Sequence, residues 1–343
     1  MEPVALFYHR ESLEHDTGPH PERVARIRAI TEVLNEEGLT RASPFREPPP
    51  ATLEQVTRIH RTGYVASVER LARQGGGALD VDTVLSSGSY RAALRAAGGA
   101  VAATTAVLRG EARRAFSLAR PPGHHARPAM AMGFCLFNNV AVAAREAQAT
   151  LGVGRVAIVD LDVHHGNGTQ ESFYDDGTVL FVSTHQYPFY PGSGGINEIG
   201  EAGGRGATLN IPLPAGCGDA EYQAALNRVI VPKLERFRPE LLLLSLGFDA
   251  HWADPLAMMQ LSIGGYVAMV ERLASLADAF CQGHLALVLE GGYNLEALAY
   301  GVLAVGRGLR GEPWADPIGP APTRPPVANV DRILDLTREL HGL

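Results

Sequence analysis

Short apolar runs alternate along this chain with longer helix-forming segments, and this alternation restricts the fold more than any other feature. The apolar runs predict strands at residues 4–8, 115–118, 155–160, 178–183, 241–245 and 285–290. The segments between them have the length and composition of helices at residues 89–108, 137–150, 219–236 and 263–282. Because the runs are apolar throughout, both faces of each strand are expected to be covered. The pattern predicts an open α/β sheet with helices on both faces.

Composition excludes several classes of protein. With 46% apolar and 20% charged residues, the chain can bury a large core, which rules out a disordered or collagen-like protein. A net charge of −7 leaves no basic surface for a nucleic-acid partner. The three cysteines are widely spaced and support neither a disulfide framework nor a cysteine zinc ribbon. No signal peptide or membrane-spanning apolar run is present, so we expect a cytoplasmic protein with no membrane partner.

The sequence predicts one domain over residues 1–343, because it shows no internal repeat and no second compositional block. The core of this domain is expected at about 4–306. Nine prolines and glycines in 307–326 predict an extended arm, and 329–340 is expected to be a surface helix.

Polar residues follow several predicted strands. Ligands in open α/β sheets bind beyond the carboxyl ends of the strands, so these residues are the candidates for function. Asp162 and His164 are two positions apart after one run, and Asp249 follows another. Two carboxylates and one imidazole suit a divalent metal with an open coordination position, where a bound water becomes nucleophilic. The set therefore predicts a hydrolase site.

Two further groups could serve such a hydrolase. His124 and His125 follow Pro121, Pro122 and Gly123 in a conformationally restricted loop, and histidine is the natural proton carrier near neutral pH. Tyr293 follows two glycines and could donate a hydrogen bond to a developing oxyanion. Considered separately, His124 and His125 would also be explained as a buried neutral pair. Tyr293 would also be explained as an ordinary aromatic residue in a turn.

Five motifs together resemble zinc-dependent histone deacetylases, most closely the class II-like bacterial histone deacetylase-like amidohydrolases and acetylpolyamine amidohydrolases. They occur in family order and cover about residues 5–305. The motifs are RPPGHH at 120–125, GFCLFNN at 133–139, DLDVHHGNGTQ at 160–170, GFD at 247–249 with DPL at 254–256, and EGGY at 290–293.

The resemblance implies the arginase/deacetylase fold, with an eight-stranded, mostly parallel sheet, and one catalytic Zn²⁺ bound by Asp162, His164 and Asp249. It implies that His125 is the general base and acid, that His124 is an electrostatic partner held by Asp160, and that Asn167 orients the second histidine. Tyr293 would stabilise the oxyanion. The implied substrates are acetylated lysine side chains or small acetylated amines.

The resemblance also implies a substrate tunnel and an ion site. The tunnel would be lined by Gly133, Phe134, Tyr190 and Leu261, with Tyr190 standing where many members have phenylalanine. A structural K⁺ or Na⁺ would be bound by Asp160, Asp162, His164, Ser183 and Thr184. Oligomer formation and the choice between zinc and iron are left open, since an Asp/His/Asp set discriminates weakly between metals.

Two rival functions have less support. A binuclear manganese ureohydrolase needs further bridging carboxylates, whereas Gly166 and His251 occupy the corresponding positions. A non-catalytic acyl-binding protein would be expected to lack a ligand, the histidine pair or the tyrosine, and this chain has all of them.

The substrate depends on the mouth of the tunnel. Polyamine-selective relatives place a carboxylate there, and this chain has Leu261 at one matching position, which favours acetyl-lysine over acetylpolyamine. The segment 80–83, with Asp80 and Asp82, lies in the right region for a carboxylate at the mouth, but its register is not determined by the sequence.

Overall fold

The apolar runs form the middle of a parallel sheet in the computed structural model, which describes residues 2–322 and 327–343. The strands are β1 Glu2–Phe7, β2 Phe45–Arg46, β3 Gly76–Asp80, β4 Thr83–Ser86, β5 Ala112–Ser117, β6 Val156–Asp160, β7 Val179–Gln186, β8 Thr208–Leu213, β9 Leu241–Leu246 and β10 Leu285–Leu289. Within the described residues the sheet has eight strands in the order β2-β1-β5-β10-β9-β6-β7-β8, and β3 and β4 form a separate antiparallel hairpin.

Helices cover both faces of the sheet. They are α1 Val24–Glu36, α2 Leu39–Ala42, α3 Leu53–Thr57, α4 Thr62–Arg73, α5 Ser89–Leu108, α6 Asn139–Thr150, α7 Asn167–Phe173, α8 Asp219–Ala225, α9 Val231–Phe237, α10 Ile263–Phe280, α11 Leu295–Arg310 and α12 Val330–His341. A π-helical turn at Leu226–Ile230 joins α8 to α9, and Arg10–Glu14 and Ala202–Gly204 are short 3₁₀ helices. Across the described ranges, no helix is both long and apolar enough to span a bilayer.

Strand β9 shows how the core is organised. Its side chains alternate between the two faces, so Leu242, Leu244 and Leu246 pack in one apolar cluster while Leu241 and Leu243 pack in the other. All five are essentially inaccessible to solvent. This double burial explains the continuous apolar runs, and the strand order confirms the predicted α/β fold with its eight-stranded sheet.

Two strands of the sheet were not predicted. Strand β8 has the sequence TLNIPL, in which Asn210 and Pro212 interrupt the apolar pattern. Proline lacks the N–H that a central strand donates, but β8 lies at the edge of the sheet and tolerates it. Strand β2, at the opposite edge, has only two residues and gives no periodic signal.

The predicted boundaries of the carboxyl-terminal arm were partly wrong. Helix α11 continues to Arg310 and ends at Gly311, whose φ of +69° suits the left-handed conformation that commonly ends helices. Residues 311–322 lie outside helices and strands, and the last four predicted arm residues, 323–326, lie outside the described residues.

The central strands place the candidate residues together. Strands β5, β10, β9 and β6 are consecutive neighbours, and all run parallel. Their carboxyl ends therefore meet at one edge of the sheet, where the histidine pair, Tyr293, Asp249 and Asp162 follow them.

Candidate active site

Three candidate metal ligands converge at the carboxyl ends of β6 and β9. Asp162 and His164 follow β6, and Asp249 follows β9. One potential ligand atom from each side chain lies within 4.8 Å of the others. His164 Nδ1 lies 3.1 Å from Asp162 Oδ1 and 3.3 Å from Asp249 Oδ2. The spacing of these atoms is suitable for a single shared cation.

The environment of these side chains fits a divalent metal. The two carboxylates are fully buried, and Asp249 Oδ2 accepts no hydrogen bond. Burial would lower the pKa of His164, but the neighbouring carboxylates of Asp162 and Asp249 raise that pKa to about 10. A cation in this position would compensate two buried negative charges and displace the imidazole proton.

The backbone holds the two carboxylates in place. The N–H of Gly291 donates to Asp162 Oδ2 at 2.8 Å, and the N–H of Val163 donates to Asp249 Oδ1 at 3.0 Å. A Cβ on Gly291 would lie 2.1 Å from Asp249 Oδ2. Glycine is therefore required there, because any side chain would collide with the ligand set.

The two histidines after β5 differ in their partners. His124 Nδ1 lies 3.0 Å from Asp160 Oδ2, and His125 Nδ1 lies 2.8 Å from Asn167 Oδ1. The ring centroids are 4.0 Å apart, so the charge state of one ring affects the other. A carboxylate partner favours imidazolium, while an amide oxygen accepts the Nδ1 proton of a neutral imidazole.

The pKa values of the two histidines are displaced in opposite directions. Burial lowers the pKa of His124, but Asp160 and Asp162 outweigh it and hold that pKa well above the usual range. Burial, followed by the neighbouring His124 and His164, holds the pKa of His125 well below it. At neutral pH His124 is therefore charged, and His125 is neutral with Nε2 available to accept a proton.

Glu290 positions the histidine loop, a role that sequence reasoning missed. It directly follows β10, and its Oε2 accepts the N–H groups of Gly123 and His124 at 2.6 and 3.1 Å. Ser245 donates to its Oε1 at 3.1 Å. Burial raises the pKa of this carboxyl to about 7. The available sequence signal was an acidic residue ending a fully apolar run, at the start of the EGGY motif.

Tyr293 is held from two sides. Its backbone N–H donates to Asp254 Oδ2 at 2.7 Å. The guanidinium of Arg26 donates to the carbonyls of Gly292 and Glu290, both at 2.6 Å, and lies 5.0 Å from the Tyr293 ring centroid. Burial raises the pKa of the Tyr293 phenol well above its usual range, so the hydroxyl retains its proton and can donate it in a hydrogen bond.

A narrow cavity of about 120 Å³ is bordered by His125, His164 and Tyr293. The ring of Phe134 meets that of Tyr293 edge-on at 5.7 Å, and the ring of Tyr190 meets that of His125 at 5.2 Å. The walls are mainly aromatic and apolar, with one carboxylate. They comprise Asp82, His125, Gly133, Phe134, His164, Tyr190, Leu256 and Tyr293.

The prediction that Leu261 lies at the mouth of the tunnel was wrong. Leu261 is inaccessible to solvent and packs in the main apolar cluster. Its backbone pairs with Ala250 and Trp252, which turns the segment back into the protein. Leu256 lines the cavity instead. Of the two carboxylates whose register the sequence left open, Asp82 is the one that lines the cavity.

The residues predicted to bind a monovalent ion include two of the candidate metal ligands, Asp162 and His164, together with residues of β6 and β7. Asp160 and Ser183 are paired across β6 and β7, and Thr184 Oγ1 lies 3.5 Å from the Asp160 carbonyl. Ser183 Oγ is 2.9 Å from His185 Nδ1. The grouping of Asp160, Asp162, His164, Ser183 and Thr184 as an ion site stays a prediction.

Comparison with known proteins gives consistent matches. A model of the histone deacetylase domain matches residues 20–309. The chain is 42% identical over 306 residues to a probable deacetylase of Archaeoglobus fulgidus, covering 88% of this chain and 85% of that protein. It is 42% identical over 330 residues to a histone deacetylase-like amidohydrolase of Pseudomonas aeruginosa, covering 90% and 86%. The crystal structure of the HDA15 HD domain superposes with a TM-score of 0.90 at 35% identity, covering 98% of this chain and 94% of that one.

Proposed function

Because this chain belongs to the histone deacetylase family, we propose that it is a zinc-dependent deacetylase that hydrolyses the acetamide of N-acetylated primary amines, with residues 4–306 as its catalytic core. One observation carries the proposal. His125, Tyr293 and His164 line the same narrow cavity, and His164 belongs to the candidate metal-ligand set with Asp162 and Asp249.

Asp162, His164 and Asp249 would hold the zinc ion. When bound, Zn²⁺ supplies Lewis-acid polarisation of the acyl oxygen and makes water a better nucleophile near neutral pH. The two aspartates are already fixed by backbone N–H groups, so little reorganisation of the chain is needed. The same donor set could accept iron, and metal analysis decides between the two.

His125 would carry the proton. Asn167 accepts the Nδ1 hydrogen of His125, which directs the lone pair of Nε2 into the cavity. Nε2 first takes a proton from the attacking water and then returns it to the nitrogen of the departing amine. Water thus adds across the C–N bond, and acetate and a primary amine are formed. His124, kept protonated by Asp160, provides positive charge beside the reacting carbonyl.

Tyr293 would stabilise the tetrahedral intermediate by donating its phenolic proton in a hydrogen bond to the oxyanion. Its raised pKa keeps the donor protonated throughout the neutral range. Removing one such donor commonly costs about 10²–10³ in kcat.

The cavity favours a slender alkyl chain. Phe134, Tyr190 and Leu256 present apolar surface along it, which suits the methylene chain of acetyl-lysine. Acetylpolyamines are the second candidate, and a specific observation supports them. The carboxylate of Asp82 borders the cavity and could attract a distal ammonium group.

We also assign a structural K⁺ or Na⁺ to the grouping that includes Asp160, Ser183 and Thr184. Hydroxyl, carbonyl and carboxylate oxygens are suitable ligands for such hard cations, and β6 and β7 bring them into register. The assignment is tested by titrating activity with KCl and with NaCl in a buffer otherwise free of both ions. An activity that depends on neither salt would contradict it.

The test is kcat/KM on metal-analysed protein for an acetyl-lysine peptide and for N-acetylputrescine, with a chelator control. A preference for the peptide supports a lysine deacetylase, and a preference for N-acetylputrescine assigns specificity to Asp82. If the zinc-loaded protein hydrolyses neither substrate, the proposed function is contradicted.

Three variants test the roles of the site residues. His125→Ala and Tyr293→Phe should each lower kcat at least 100-fold, as about 10²–10³ per group implies, while bound zinc stays at the parent level. Asp249→Ala should lower both activity and bound metal. Parent-like activity in any of the three would overturn the corresponding assignment.

A further inference from the structure

The Gly133-Phe134 turn adopts a backbone conformation that an aromatic residue rarely takes. The φ values are +55° at Gly133 and +68° at Phe134. A bulky residue with positive φ is strained and persists only where its surroundings hold it in place. The turn packs closely against the site on one side, where a Cβ on Gly133 would lie 2.3 Å from the His125 ring. Contacts on the side of the turn away from His125 are therefore expected to hold Phe134 in this conformation.

The hairpin formed by β3 and β4 supplies these contacts. Thr83 Oγ1 accepts the N–H of Phe134 at 3.0 Å, and Asp82 Oδ1 accepts the N–H of Gly133 at 3.1 Å. The Thr83 hydroxyl in turn donates to Asp82 Oδ1 at 2.8 Å. The adjacent side chains of Asp82 and Thr83 thus accept hydrogen bonds from adjacent backbone amides. Because Thr83 is only 1% exposed, water does not compete readily for its hydrogen bond with the Phe134 amide.

His20 reinforces the same arrangement. The N–H of Glu22 donates to its Nδ1 at 3.0 Å, and its Nε2 lies 3.2 Å from the carbonyl oxygen of Asp82. Its ring meets that of Phe134 edge-on, with centroids 4.5 Å apart. His20 therefore touches both the hairpin and the ring that the hairpin positions.

We propose that Thr83 and Asp82 are positioning residues that hold Phe134 as a wall of the substrate cavity and thereby set the affinity for the acyl chain. The inference rests on the proposed function for its kinetic consequence. Asp82 Oδ1 is occupied by Thr83 and Gly133, so this carboxylate has a structural task whether or not it also meets a cationic substrate.

Loss of the contacts that hold Phe134 should raise KM and leave kcat nearly unchanged. Phe134 contacts the part of the cavity that binds the substrate chain, and loss of binding common to ground and transition states raises KM alone. Tyr293 is held independently by Asp254 and Arg26, so the oxyanion donor stays in place when the wall moves.

The matched variants are Thr83→Val, which keeps the shape but removes the acceptor, and Thr83→Ser, which keeps the acceptor. We expect Thr83→Val to raise KM for the acetyl-lysine peptide about tenfold, as the loss of one buried hydrogen bond implies, with kcat within about threefold of the parent. Thr83→Ser should stay within about threefold in both constants.

Amide hydrogen exchange on the metal-free proteins tests the clamp without any turnover. The Phe134 amide should exchange at least tenfold faster in Thr83→Val than in the parent and at about the parent rate in Thr83→Ser. Unchanged exchange in Thr83→Val, or an unchanged KM, overturns the proposal, as does Thr83→Ser behaving like Thr83→Val. A parent protein that hydrolyses no acetamide refutes the proposed function, while the exchange data still decide whether the clamp exists.

Discussion

Replacing Glu22 by glutamine should destabilise the protein and disturb the active site together. The Glu22 carboxylate is fully buried and accepts two hydrogen bonds from Arg120, at 2.7 and 3.1 Å, and one from Arg26 at 3.1 Å. His15 Nε2 lies 3.4 Å from it. Arg120 begins the loop that carries the histidine pair, and Arg26 binds the carbonyls beside Tyr293. One carboxylate therefore links both parts of the catalytic apparatus.

The magnitude follows from the two guanidinium groups that would lose their counter-ion. Removing one partner of a buried ion pair costs about 3–5 kcal/mol in the free energy of unfolding. At about 2.1 cal/mol/K per residue, a chain of 343 residues has an unfolding entropy of about 0.7 kcal/mol/K. Glu22→Gln should accordingly lower Tm by about 4–7 °C.

Differential scanning calorimetry at pH 7 measures this effect, with Glu69→Gln as the control. Glu69 forms an exposed helical ion pair with Arg73 at 2.7 Å, and such pairs contribute about 0.3–0.5 kcal/mol, so its Tm should change by less than about 1 °C. Equal shifts in the two variants would refute the reasoning, because burial would then make no difference.

The Glu22 contribution should also depend on pH. Burial raises the pKa of Glu22, but Arg120, His15 and Arg26 outweigh it and hold the folded-state pKa well below 4.5. A depressed folded-state pKa adds stability above pH 4.5, and this stability is lost as the pH falls below that value. The Tm difference between the parent and Glu22→Gln should therefore be constant near neutrality and narrow in acid.

Three further changes have defined outcomes. Asn167→Asp places a carboxylate beside His125 Nδ1, which should raise the pKa of His125 and shift the acid limb of the kcat/KM profile to higher pH; an unmoved limb would show that His125 is not the base. Leu261→Ala should lower unfolding stability by about 2–5 kcal/mol in a denaturant titration, with the peptide-to-polyamine ratio of kcat/KM unchanged, because the residue lies in the core. Gly194→Ala would place a Cβ 2.5 Å from His185 Nε2 at a φ of +87°, so the loop that carries Tyr190 should shift and KM should rise; a parent-like KM would show that the loop tolerates the methyl group.

Much of the site could be predicted because its residues follow apolar strands directly. Asp162, His164, Asp249 and Tyr293 each come within a few positions of a strand end, and a parallel sheet brings those ends to one edge. The strand pattern alone therefore predicts their proximity without any knowledge of the connecting loops.

The mouth of the cavity could not be predicted in the same way. Leu261 and Asp82 lie in loop regions between strands, where periodicity carries no information about direction. The path of the segment after Asp249 depends on backbone pairing with Ala250 and Trp252, and the register of Asp82 depends on bonds to Gly133 and Thr83. These are long-range contacts with no local signature in the sequence.

Strand order also determines when the catalytic centre can form during biosynthesis. β10 lies between β5 and β9, and Gly123 bonds to Glu290, which is 167 positions further along the chain. A chain still lacking β10 leaves the facing edges of β5 and β9 unpaired, and such edges promote aggregation. It also lacks Glu290, Tyr293 and the amide of Gly291 that orients Asp162. Assembly of the candidate metal site therefore requires the same insertion of β10 that closes the sheet.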